Sequence, residues 1–228
     1  MITSFVQSLK NKPAQHLFNP WFEQDVEHDE HAEAPSVRRS QLETYLTERK
    51  SSAKYLFIAE ALGYQGGHFT GIAMTSERIL LGHQEEKYGV KPEQVFTGQN
   101  PVRTSRTEFI EKGMSEPTAT IMWGALADLQ IDPYEVVLWN AVPWHPYNPK
   151  KGILSNRTPT QPELDAGLQY LDSFISLFED VQLIAVGRKC EQSLSLLDKK
   201  FTGVRHPANG GAPQFRRQLC ELVENRKK

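Results

Sequence analysis

Residues 54–71 read KYLFIAEALGYQGGHFTG: an apolar run ending in the carboxylate of Glu60, then glycines at 63, 66, 67 and 71 with His68 and Phe69 among them. The run YLFIAE (55–60) is nearly all apolar, as a strand buried on both faces of a parallel sheet is. Three more β-rich runs follow, EVVLWNAV (135–142), VQLIAVG (181–187) and FTGVRHP (201–207). Helical patterns separate them. In 116–130, Ile121, Ala125 and Leu129 share a face. Segment 160–178 opens with a Thr160–Glu163 capping box and carries a stripe of Leu164, Leu168, Leu171, Ile175 and Phe178. Segments 188–200 and 214–227 complete the set. The βαβαβαβ alternation makes this an α/β chain, with a mostly parallel sheet, helices on both faces and right-handed crossovers. The long first crossover, 61–134, holds a helix starting near Thr75 and Ser76, and its length marks it as functional or partly mobile.

The chain has 228 residues, of which 39% are hydrophobic and 24% charged, enough for one sizeable core; a single domain over 1–228 is expected. The N-terminal MITSFVQSLKNKP has no apolar segment of signal-peptide length, and no run is long enough for a membrane span, so a soluble, cytoplasmic protein is expected. Cys190 and Cys220 form no CxxC pair. They argue against a disulfide framework and a thiolate-held metal, and read as buried, inert thiols. The net charge of −2 is segregated: residues 21–36 carry six acids and no Lys or Arg, while 188–228 hold ten basic residues against four acids. The acidic segment, 23–36, reads as exposed and flexible, its His28 and His31 being weak metal candidates. The basic end suits either a polyanion or a solvated helix face.

Ligands of open α/β sheets bind at the carboxyl ends of the strands. Those ends carry Glu60 with its glycine loop, Asn140, Gly187 and His206, so a carboxylate, a carboxamide and an imidazole are expected in one crevice, a set suited to a planar heterocycle. Each has a structural alternative: a turn or helix-start charge for Glu60, a turn cap for Asn140, a structural histidine for His206, a core position for Phe69. His68 is expected to be exposed. GYQGG lacks dinucleotide-fingerprint spacing and no GxxxxGK[ST] occurs, which argues against the common phosphate cradles.

AEALGYQGGHFTG resembles the first motif of the uracil-DNA glycosylase superfamily, most closely the branch reading Gly-Glu-x-Pro-Gly. LWNAVPWHPYNP with SNRTPTQPEL resembles that branch's second block, IAVGRKCEQSL its penultimate strand-to-helix block, and VRHPANGG its closing His-Pro motif. The resemblance spans about residues 53–225. It implies a three-layer α/β/α sandwich around a four-stranded parallel sheet, with Glu60 beside the sugar and attacking water, Phe69 stacked on an extruded base, Asn140 reading the base edge and His206 meeting a uracil carbonyl. Gly63 and Gln65 would line the base site. Arg205, Asn209, Gly210, Gly211, Arg216 and Arg217 would face the DNA backbone.

The chain departs from the pattern at Ala59 for glycine and Leu62 for proline. Two cysteines cannot supply the branch's four-cysteine iron–sulfur cluster, so no cofactor is expected. Ala61 stands where other branches place a water-activating Asp, leaving that task to Glu60, to Gln65 or to no residue. Gly63, followed by Tyr64, occupies the place of a tyrosine that excludes thymine. The implied function is hydrolysis of the N-glycosidic bond of uracil or a related damaged base in DNA, in base excision repair, by a monomer with no membrane partner. The alternatives are a damaged-base sensor without chemistry and a hydrolase of small N-glycosides, which the basic C-terminal segment disfavours.

Overall fold

The computed structural model describes residues 1–226; Lys227, the last residue of the expected final helix, lies outside them. The chain begins with α1 (Ile2–Ser8), β1 (Leu17–Phe18) and α2 (Ala34–Arg49), which leads into β2 (Tyr55–Ala61). Short helices α3 (Gly67–Thr70), α4 (Glu77–Leu80) and α5 (Glu85–Tyr88) punctuate the long crossover before α6 (Pro117–Asp128) returns to β3 (Val136–Val142). Then come β4 (His145–Pro146), α7 (Gln161–Ile175), β5 (Gln182–Val186), α8 (Arg188–Leu196), β6 (Thr202–Val204) and α9 (Ala212–Arg226).

Each apolar run of the sequence holds one strand of a four-stranded parallel sheet in the order β3-β2-β5-β6. The register pairs Ile58 with Trp139, Ala59 with Asn140 and Ala61 with Val142. Since side chains alternate along a strand, Ala59, Ala61 and Asn140 share one face, and Glu60 points to the other, with Ile58 and Trp139. The Trp139 face is covered by α1 and α7: the Trp139 ring stacks on Phe174 with centroids 4.4 Å apart and meets Phe5 edge-on. Such aromatic pairs add about 0.5–1.5 kcal/mol each beyond their burial. Helix α8 packs beside α7. On the opposite face α6 packs against α9, and Tyr55 at the start of β2 shares a hollow with Leu129 and Ile131, just past α6, and with Val223 of α9. The result is the expected α/β/α sandwich.

Several expectations need correction. Helices α1 and α2 were not legible in the sequence. Helix α2 guards the free edge of β3: the Leu138 N–H donates to the Tyr45 hydroxyl at 2.9 Å, and Arg49 Nε donates to the Val136 carbonyl at 3.0 Å. The edge strand's polar groups are thereby satisfied. In α6 the buried positions are Ala119, Met122, Trp123, Gly124, Ala125 and Leu126, while Ile121 and, just past the helix, Leu129 are only half-buried. The acidic segment 23–36 is not wholly an open loop, because two of its acids are buried against partners. Asp29 is buried and takes both Nη atoms of buried Arg38, at 2.6 and 3.0 Å, and Asp25 is also buried. Cys220 is half-exposed, its Sγ donating to Glu224 at 3.5 Å; Cys190 is buried as expected. Among the described residues, no helix is long and apolar enough to cross a membrane.

Candidate active site

Asn140 lies in the C-terminal half of β3, 1% exposed, and its Oδ1 is enclosed without a hydrogen-bond partner. An unpaired buried amide oxygen costs about 1–3 kcal/mol, so Asn140 is a poor structural residue and a good receptor for a ligand N–H. His206 follows β6. Its Nδ1 accepts from the Ala208 N–H at 3.1 Å, which puts the proton of the neutral ring on Nε2. Burial, and then the neighbouring Arg205 guanidinium, lower the His206 pKa, so the ring is a neutral donor. Gly187, at the end of β5, has φ +90, and a Cβ there would come within 3.1 Å of His206 Cβ. Glu60 is half-buried. Burial raises its pKa while Lys189 of α8 opposes the shift, so this carboxyl is turned toward α8 on the face away from Asn140. The three groups therefore reach the carboxyl end of the sheet, but Glu60 and Asn140 leave it on opposite faces.

The glycine-rich loop reaches across to the start of α6. A Cβ at Gly66 would overlap the Glu116 carboxyl, and one at Gly63 would touch Glu116 Oε1 at 3.6 Å and the Asn156 carboxamide at 3.7 Å. At Gly66 the loop is bare because this carboxyl occupies the space, while Gly67 is held bare by Leu62 and Gly71 by the Arg38 carbonyl. Glu116 is partly exposed as a residue, yet its Oε2 is enclosed and unpartnered. Burial pushes its pKa up to about 7. Nothing in the sequence marks Glu116, which reads as an ordinary acid before the helix-starting Pro117. Gln65 donates to the Ser115 carbonyl at 3.2 Å, and the Tyr64 N–H donates to Asn156 Oδ1 at 3.1 Å, fixing the loop to both neighbours.

His68 is fully buried, contrary to expectation, because the acidic segment supplies its partner. Its Nε2 lies 3.0 Å from Asp25 Oδ2, and its Nδ1 lies 3.1 Å from Nδ1 of His145 in β4. His145 Nε2 in turn meets the Ser155 carbonyl at 2.8 Å. Burial, and then the charge of His68, lower the His145 pKa to about 3. Burial alone would raise Asp25, but its hydrogen bonds to His68 and His28 outweigh this and hold it at about 2. The line pins the glycine loop between the N-terminal segment and β4. Phe69 has no exposed surface; its ring packs on His68 with centroids 4.4 Å apart. His28 also contacts Asp25, at 3.0 Å, and among the described residues no His, Cys, Asp and Glu cluster could hold a metal.

Beyond β6, Arg205, Asn209 and Gly210 are exposed, whereas Gly211 is buried: a Cβ there would overlap the His206 carbonyl oxygen. Asn209 and Gly210 take φ of 52° and 75° to make the turn. Arg217 is exposed, 3.8 Å from Glu221, but Arg216 is paired with Asp128 at the end of α6. Arg188, Arg205, His206, Gln214 and Gln218 line a cleft of about 580 Å³.

The carboxyl end of the sheet thus carries a carboxamide whose Oδ1 has no protein partner, a neutral imidazole and a glycine loop. The family model of the uracil DNA glycosylase superfamily matches residues 86–220, more than half of the chain, and the chain belongs to that superfamily. The class is that of DNA glycosylases, hydrolases that act on DNA. The matched stretch includes Glu116, Asn140 and His206 and begins past the glycine loop. Among solved structures, the crystal structure of wild-type Pedobacter heparinus SMUG2 superposes with a TM-score of 0.63 at 11% identity, covering 99% of this chain and 98% of that one, a likeness of fold. No curated protein matches the chain.

Proposed function

We propose that this chain hydrolyses the N-glycosidic bond of uracil, or of a related damaged base, in DNA, acting as a cytoplasmic monomer in base excision repair. The observation that carries the reading is Asn140, a buried carboxamide whose oxygen has no partner in the protein. Its Oδ1 can accept from the N3–H of uracil while its amide donates to O4. Cytosine presents the reverse pattern. His206 would meet the charge that develops on the base with its Nε2–H, a kind of interaction worth about 3–4 kcal/mol in the transition state. Gly63, Gln65 and Phe69 are proposed to line the base site, and Glu60 to add a carboxylate at the carboxyl end of the sheet. Arg205, Asn209, Gly210, Gly211 and Arg217 are proposed to follow the DNA backbone. Arg216 is already engaged by Asp128.

The test is cleavage of single- and double-stranded oligonucleotides carrying one uracil, read after alkali treatment. Wild type should cleave at the uracil. Asn140→Asp, which when ionised only accepts, should lose uracil excision and gain weak activity on cytosine. Wild-type rates in Asn140→Asp would return Asn140 to a turn-capping role. Ala61, on the Asn140 face where a carboxylate could have stood, favours a second reading, binding without chemistry. Tight binding of the uracil strand with no cleavage would select it.

A further inference from the structure

A carboxylate near the sugar favours hydrolysis of a glycosidic bond by orienting water and offsetting the positive charge of the sugar, and the face on which it stands matters. The strand register puts Asn140, Ala59 and Ala61 on the side covered by α6, while Glu60 lies on the other side with Trp139, near Lys189. Helix α6 runs antiparallel to β2: the residues just past its C-terminus flank Tyr55, at the start of β2, and its N-terminal end touches the loop that follows β2. The residue preceding the helix, Glu116, is therefore delivered to the carboxyl ends of the strands on the Asn140 side. Its carboxyl abuts Gly63 and Gly66, beside the exposed Asn156, and its Oε2 has no partner. A Cβ at Gly66 would overlap it, whereas one at Gly63 would only touch it.

We infer that Glu116 is a catalytic residue of the glycosylase proposed above, its carboxylate taking the proton of the attacking water and stabilising the positively charged sugar. The step balances as follows. The water oxygen bonds to C1′ as the C1′–N bond breaks. The electron pair leaves with the base, where His206 Nε2–H meets it. One water proton passes to Glu116, and the same proton count is restored when the departing base is protonated and Glu116 releases its own to solvent. Burial is the one cause of the raised Glu116 pKa, its immediate neighbours being Gly63, Gly66 and the uncharged Asn156. A base that titrates close to the working pH is the effective kind.

The inference rests on the proposed function, so its test includes a readout that needs no cleavage. Two oligonucleotides are compared, one carrying a cationic pyrrolidine in place of the target nucleotide and one the neutral tetrahydrofuran analogue. Wild type should prefer the pyrrolidine by about tenfold or more, increasingly from about pH 6 to about pH 8 as Glu116 ionises. Glu116→Gln, nearly isosteric with the protonated acid, should lose the preference. It should also lose about 100-fold or more of the single-turnover rate on uracil, together with the limb that rises through pH of about 7. A preference unchanged in Glu116→Gln, or absent from wild type at every pH, overturns the assignment. If wild type shows the Glu116-dependent preference yet cleaves no uracil, the role of Glu116 stands and the choice of base fails.

Discussion

Glu116 destabilises the fold whenever it is ionised, because burial penalises the charged carboxyl and its enclosed Oε2 has no donor in the protein. An acid whose pKa rises on folding binds its proton more tightly in the native state. Between the ordinary value of 4.5 and about 7 the folded chain therefore carries the extra proton, and stability falls as pH rises through that window. Glu116→Gln should be more stable than wild type at about pH 8, by up to about 3 kcal/mol, and should match it near about pH 4.5. Urea unfolding at the two pH values measures this, and equal stabilities at about pH 8 would mean the carboxyl is solvated. The placement of Asn140 and His206 toward the carboxyl ends of β3 and β6 was legible in the sequence, because both stand late in or just after β-rich runs. The placement of Glu116 was not, since its contact with Gly66 is made across the long crossover. His68 was misread for the same reason: its partner Asp25 is 43 residues away in an acidic stretch that looks solvated.

At the scale of elements, the turn from β6 into α9 sets His206. The His206 carbonyl packs directly on the Cα of Gly211, whereas Gly210 faces open space and needs only its φ of +75°. Alanine at the two glycines should thus act differently. Gly211→Ala must push the His206 backbone away, costing roughly 1–3 kcal/mol and slowing uracil cleavage, while Gly210→Ala should cost about 1–2 kcal/mol of strain with little change in rate. Thermal unfolding and single-turnover cleavage of both variants check this; equal rate losses would mean that the whole turn, and not the seat of His206, governs activity. The four strands were readable from apolar continuity, and α7 from its capping box, whose Glu163 accepts from the Thr160 N–H at 2.8 Å. Helix α2 was hidden because two of its buried residues are Arg38 and Arg49, whose guanidinium groups are satisfied by Asp29 and by backbone carbonyls far away in the chain.

At the scale of the molecule, a chain of net charge −2 must bind a polyanion through segregated charge. The segregation was visible in the sequence, but which cations are free was not. The acids of segment 23–36 are not all spread over the surface: Asp25 and Asp29 are buried against His68, His28 and Arg38. Within the basic end, Arg205 is exposed beside His206 in the cleft at the edge of the sheet, whereas Arg216 clips α9 to α6 through Asp128. A cation that neutralises a phosphate releases counterions, and its removal lowers the slope of log affinity against log salt by about one unit. Arg205→Ala should therefore flatten the slope by about one. Arg216→Ala should leave the slope nearly unchanged, because its charge is already compensated. Titrating a fluorescent uracil-containing duplex from about 50 to about 200 mM salt reads both. A full unit lost in Arg216→Ala would mean that the Asp128 pair opens when DNA binds, and an unchanged slope in Arg205→Ala would remove the His206 cleft from the path of the DNA backbone.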